Sequence, residues 1–184
     1  MIRIKIAVVF LVANLFFVFS TTTNAEAGKG NSYLDAGVYY SDIELPLRFE
    51  KEQIKALESG IVFNLELRFQ IINVRNWRLD RNIGALTQIY TIEFNAFTRR
   101  YSVTNNNTGW QVSMSTINEV SGYLSEIKKL PLVDDSLLSL EANYRVFLNS
   151  SLRAKGVSQW MKTLSFWRES LDSDLEQIQW QLFN

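Results

Sequence analysis

The sequence predicts a mainly β chain: an antiparallel β-sandwich with one main packed helix and short extra helices. Three observations carry that prediction. In residues 61–71 every odd position is apolar and, from Asn64 on, every even one is polar; later segments repeat the alternation, and helical spacing is confined to short stretches. An alternating strand has one apolar and one wet face, so it needs a second layer. The helices are too few to cover every sheet, which leaves sheet-on-sheet packing. A single curved antiparallel sheet under one helix, an α+β arrangement, is the alternative.

The chain opens with Arg3 and Lys5, followed by the uncharged apolar run Ile6–Phe19, broken only by Asn14. As a helix that run reaches about 21 Å, short of a roughly 30 Å hydrocarbon core. A polar stretch then leads to Ala25-Glu26-Ala27, the small-x-small pattern of a signal-peptidase site. Residues 1–27 are therefore expected to be a signal peptide, and residues 28–184 a single exported domain. The periplasm is the expected location; an uncleaved segment anchoring the chain in the inner membrane is the alternative.

Leu34–Ile43 reads as the first strand, with Leu34, Ala36, Val38 and Tyr40 on one side. Glu50–Ser59 has Ile54 and Leu57 at helical spacing and Gly60 as a stop. The clearest strand follows. Ile61, Phe63, Leu65, Leu67, Phe69 and Ile71 share one face, and Asn64, Glu66, Arg68 and Gln70 the other. In Leu86–Val103 the apolar phase starts on Leu86, Tyr90, Ile92 and Phe94, then shifts to Phe97, Tyr101 and Val103, which predicts a bulge or corner near Asn95–Thr98. Asn105–Gly109 reads as a hairpin turn, because Asn and Gly tolerate left-handed backbone, with Trp110, Val112 and Met114 returning.

Thr116 and Glu119 have capping-box spacing, and the stripe Ile117, Val120, Tyr123, Leu124, Ile127 predicts a helix over Thr116–Lys128 that ends before Pro131. Asp134–Leu138 suggests one further turn. Ala142, Tyr144, Val146 and Leu148 alternate as a strand, as do Ile178, Trp180 and Leu182. Val157–Ser170 is ambiguous: Trp160, Leu164 and Trp167 fit helical spacing, but over two turns at most.

These segments resemble an uncharacterised bacterial exported family, domain of unknown function 4390. The resemblance runs through Ala56-Leu-Glu-Ser-Gly-Ile-Val-Phe-Asn-Leu-Glu-Leu, Arg75-Asn-Trp-Arg-Leu-Asp80 and Phe97-Thr-Arg-Arg-Tyr101. It continues through the Asn105–Gly109 turn, Tyr123-Leu-Ser-Glu-Ile-Lys, Tyr144-Arg-Val and the terminal Trp180. The family's proline-containing segment after the Tyr144 strand is replaced here by Ala154-Lys-Gly-Val-Ser-Gln-Trp160. Members are commonly encoded beside membrane sensor kinases, so the resemblance implies an envelope setting and, as a partner, a sensor's extracytoplasmic domain.

The composition excludes much chemistry. The chain has no His and no Cys, which removes Ser-His-Asp triads, cysteine nucleophiles, disulfides and the usual zinc ligands. Its 19 basic and 19 acidic side chains cancel, so no global field draws it to nucleic acid. No cofactor or metal site is expected. Asp134-Asp135 and Asp172-Ser-Asp174 are the densest carboxylates, and the second lacks the glycine and distal glutamate of a calcium loop. Ser151 and Lys155 share a face by strand parity alone.

Two surfaces stand out. Arg75, Trp77, Arg78 and Arg81, with Arg99 and Arg100, form a basic–aromatic candidate partner surface. Trp160, Trp167 and Trp180 form either a core-closing cluster or an aromatic ligand platform. The expected function is that of a non-catalytic envelope protein that binds a protein partner. The alternatives are a small-ligand or glycan-binding module and a hydrolase using carboxylates only.

Overall fold

The computed structural model describes residues 28–139, 141–155, 171–175 and 177–183. A hairpin occupies the place of the expected first strand. β1 (Lys29–Asp35) and β2 (Val38–Glu44) meet at Ala36 and Gly37, both at positive φ. The turn reverses the chain inside the segment whose alternation suggested a single strand. The buried set is accordingly Tyr39, Ser41 and Ile43, and Leu34 is half-exposed.

α1 (Lys51–Glu58) forms where expected, with a capping box between Glu50 and Gln53. Gln53 is buried, yet fully used: its Oε1 accepts the Glu50 N–H at 2.9 Å and its Nε2 donates to the Leu171 carbonyl at 3.1 Å. Gly60, at φ 90°, ends the helix.

β3 (Val62–Val74) then runs through the centre of the fold, and Phe63, Leu65, Leu67, Phe69 and Ile71 are all buried on one face. β4 (Arg81–Asn95) pairs along it. β5 (Arg100–Asn105) and β6 (Gln111–Met114) follow as successive hairpins. The apolar phase shift near Asn95–Thr98 is thus a full reversal between β4 and β5, not a bulge or corner within one strand. Asn95 Oδ1 accepts the N–H groups of Phe97 and Thr98 there, and Arg99 takes a φ of 53°.

α2 (Ile117–Ser125) is capped by Thr116, whose hydroxyl accepts the Glu119 N–H. The expected continuation to Lys128 fails. Glu126 enters β7 (Glu126–Asp134) directly, and Pro131 lies in that strand. Ile127 stays buried in both readings, which is why the helical stripe ran past the true end. A 3-10 turn (Asp135–Leu137) leads to β8 (Asn143–Lys155), with β9 (Ser173–Asp174) and β10 (Ile178–Gln181) completing the elements. Val157–Ser170 lies outside the described residues.

The strands make two antiparallel sheets. One has the order β1-β2-β7; the other runs β10-β8-β3-β4-β5-β6, with β9 also on β8. Their inner faces share one core: Tyr39, Ile43, Ile127 and Leu130 from the small sheet meet the inward rows of β3, β4 and β8. The result is a β-sandwich, in which α2 packs against β5, β6 and β7. The α+β alternative with one curved sheet is overturned by the second sheet. α1 is tied to β5 by the buried Tyr101, whose hydroxyl donates to Glu58 Oε1 at 3.0 Å. Burial, and then that hydrogen bond, raise the Tyr101 pKa. The contact is therefore intact below the ordinary tyrosine pKa and weakens as pH rises through the raised value.

One side of the sandwich is closed where β1 meets β10. Trp180 Nε1 donates to Ser32 Oγ at 2.7 Å, and Ser32 and Ser41 hydroxyls are 2.6 Å apart. A Cβ on Gly30 would sit 2.3 Å from the Trp180 ring, so only glycine lets this strand come so near.

Candidate interaction surface

The loop from Arg75 to Asp80 joins β3 to β4 at one end of the large sheet. Asp80 shapes it by accepting the Arg75 N–H on Oδ1 at 3.0 Å. At its tip Trp77 is 96% and Leu79 92% exposed. Such apolar area lies in water only where folding gains nothing by hiding it. Arg78 and Arg81 are exposed and Arg75 is half-buried. Among the described residues, none of these three guanidinium groups has a carboxylate or side-chain hydrogen-bond partner.

Beside this loop, β4 has an open edge. β4 and β5 are paired only from Tyr90 to Asn95. The β5–β6 turn then ends the ladder with a side chain: Asn107 Oδ1 accepts the Ile89 N–H at 3.0 Å and its Nδ2 donates to the Thr87 carbonyl at 2.8 Å. The Asn107 amide thus stands in for one more residue of strand. Past it, among the described residues, β4 pairs with β3 alone. Alternation along an antiparallel strand points the backbone groups of Ala85 to the same open side as those of Thr87 and Ile89. A register shift between Ile71 and Ile72 leaves Ile83 without an opposite residue, so the regular open stretch is Gly84–Thr87.

Other edges are guarded. β7 is broken by two register shifts, contains Pro131, and has Lys129 at a φ of 53° with its N–H on Asp42 Oδ1. β6 and β10 have only 4 residues each. β1 is locked to β10 by Trp180. The open stretch of β4 contains no charged or proline residue, so this edge lacks the usual guards.

The six residues of the expected basic–aromatic surface separate into two groups. Arg75, Trp77, Arg78 and Arg81 come together at the start of β4. Arg99 and Arg100 sit past its other end; 15 residues of strand put about 45 Å between the two sites. Arg100 is fixed to the Ser113 hydroxyl and carbonyl and to the Ser115 hydroxyl, beside an open hollow of about 450 Å³ lined by Glu93, Ser102 and Gln111. Phe97, placed by its spacing in one apolar row with Tyr101 and Val103, is instead fully exposed in the turn between β4 and β5, while the other two are buried.

Of the tryptophan trio, Trp180 is buried in the β1–β10 seam and spends its N–H on Ser32, while Trp160 and Trp167 lie outside the described residues. The carboxylate pairs do structural work. Asp134 accepts from the Ser136 N–H and hydroxyl, which lower its pKa; Asp172 accepts the Ala154 N–H; and Asp174 is paired with Arg153. Among the described residues no group of three or more acidic side chains is placed to hold a metal ion. Among the described residues, two buried polar atoms, Gln88 Oε1 and Ser150 Oγ, have no partner; their residues flank Leu67 in one cross-strand row of the core.

Comparison with known proteins agrees with the likeness seen in the sequence. Searches of curated proteins and of solved structures found no match. One family model matches over residues 24–181, nearly the full length, and by that match the chain belongs to the family described as a domain of unknown function, DUF4390.

Proposed function

We propose that this protein is a non-catalytic interaction domain of the bacterial envelope that receives an extended segment of a partner protein on the open edge of β4. The observation that carries the reading is the outward backbone of Ala85 and the Thr87 N–H, unpaired among the described residues, on the strand that follows the exposed Trp77–Leu79 loop. Strand addition at such an edge supplies affinity through main-chain hydrogen bonds, and exposed side chains beside it supply selectivity. Trp and Arg are also the residue types that dominate binding energy at interfaces. A sensor's extracytoplasmic domain is the proposed partner, in keeping with an exported chain.

The test is site-specific photo-crosslinking in the native host. A crosslinker at Ala85 or Leu79 should give the same discrete adduct in the envelope fraction. One at Glu93, on the wet face of β4 but away from the open edge, should give none. Absence of an adduct from both Ala85 and Leu79, with the protein folded and expressed, would contradict the proposal.

A further inference from the structure

We infer that the segment received by β4 is an extended strand carrying acidic side chains; this rests on the strand-addition reading above. Among the described residues, the loop at the end of the open edge carries positive charge without an ion-pair partner. Arg75, Arg78 and Arg81 lie in that loop and at the first residue of β4, and residues 81–88 of β4 contain no Asp or Glu. Asp80 is the loop's one carboxylate, and it is held by the Arg75 N–H. On the neighbouring strands, Arg145 of β8 lies opposite Ile72 of β3 and adds to the same sign. On the same sheet Arg68 is paired with Glu66 and Arg153 with Asp174, whereas the three loop arginines have no carboxylate partner among the described residues. The arginines at the open edge are left for an outside carboxylate.

Geometry makes that charge necessary. The bulge at Ile83 restricts regular pairing to Gly84–Thr87, a stretch offering few outward backbone groups. So short a ladder gives little selectivity by itself. Carboxylates on alternate residues of an added strand would meet the arginine loop, with apolar residues between them free to cover Trp77 and Leu79. A second copy of this chain fits less well. Antiparallel pairing of two β4 edges about Ala85 would place each arginine loop against the partner copy's uncharged Asn105–Gly109 turn, leaving the arginines unanswered. A lipid surface could take up Trp77, Leu79 and the arginines, but it has no use for an unpaired strand edge.

The experiment measures binding of three end-blocked, ten-residue peptides to the purified protein: Val alternating with Glu, with Gln, and with Lys. The Val/Glu peptide should bind at least about tenfold more tightly than Val/Gln, lose affinity as NaCl is raised, and leave Val/Lys unbound. The double variant Arg78→Glu/Arg81→Glu should reverse the order of Glu and Lys peptides with an unchanged melting temperature. Ala85→Pro should remove binding of both the Val/Glu and the Val/Gln peptide. Should either variant unfold, the salt dependence of the wild-type protein still decides the charge.

Equal, salt-insensitive binding of all three peptides, lost in Ala85→Pro, would overturn the acidic inference and leave strand addition standing. Binding of none would count against both. Dimerisation in sedimentation that Ala85→Pro abolishes would identify a second copy as occupant. Binding to phosphatidylglycerol vesicles that survives Ala85→Pro but not Trp77→Ser would identify a bilayer. Either result would overturn the proposal.

Discussion

Replacing Leu65 by alanine should lower the free energy of unfolding by about 2–5 kcal/mol, while Glu66→Ala should cost less than about 0.5–1 kcal/mol. The contrast follows from one-residue alternation in β3. Leu65 is fully buried, with Tyr90 of β4 on one side and Leu152 of β8 on the other, both also buried. The methyl groups removed would leave a cavity that a three-strand row cannot collapse to fill. Glu66 points the other way and makes a surface ion pair with Arg68. Urea denaturation of the two variants measures the difference. Equal losses would mean that both faces of β3 are covered.

The second large effect lies at the seam between the sheets. Trp180→Ala should cost about 3–5 kcal/mol, since it removes a buried indole that packs on β1 and donates to Ser32. Gly30→Ala should cost about 1–3 kcal/mol by overpacking, because its new Cβ would fall 2.3 Å from that ring. The two losses should not add. With the ring gone, Gly30→Ala should become nearly neutral, and the coupling is read from a double-mutant cycle. Strict additivity would show that β1 does not rest on Trp180.

The large sheet was legible because β3 and β8, both in it, alternate apolar and polar side chains over most of their length, and alternation is a local property of the sequence. The small sheet was not, since β1 and β2 read as one strand and β7 as the end of a helix. Two of the misread segments have one cause: reversals and changes of element that preserve apolar spacing. Ala36-Gly37 turns the chain inside what reads as one strand. Ile127 is buried whether it lies on a helix or in β7, so nothing in the stripe marks the change at Glu126. Of the interaction surface, Arg75–Arg81 could be read from composition, since a tryptophan among arginines on a loop is visible residue by residue. The open edge could not. It depends on where β5 stops pairing with β4 and on Asn107 taking the place of a strand residue, a contact across 18 or 20 positions. For the same reason Arg99 and Arg100, near in type and sequence to the loop arginines, fall at the far end of β4.

Strand addition requires the edge of β4 to be open, and amide hydrogen exchange resolved by residue measures that directly. In the isolated protein the Ala85 and Thr87 N–H groups should exchange rapidly. Those of Leu86 and Gln88, directed to β3, should be strongly protected, and Ile89 should be protected by Asn107. On addition of the Val/Glu peptide, protection should appear at Ala85 and Thr87. Ala85 and Thr87 amides as slow as those of Leu86 and Gln88 in the free protein would contradict the account, because the edge would already be occupied.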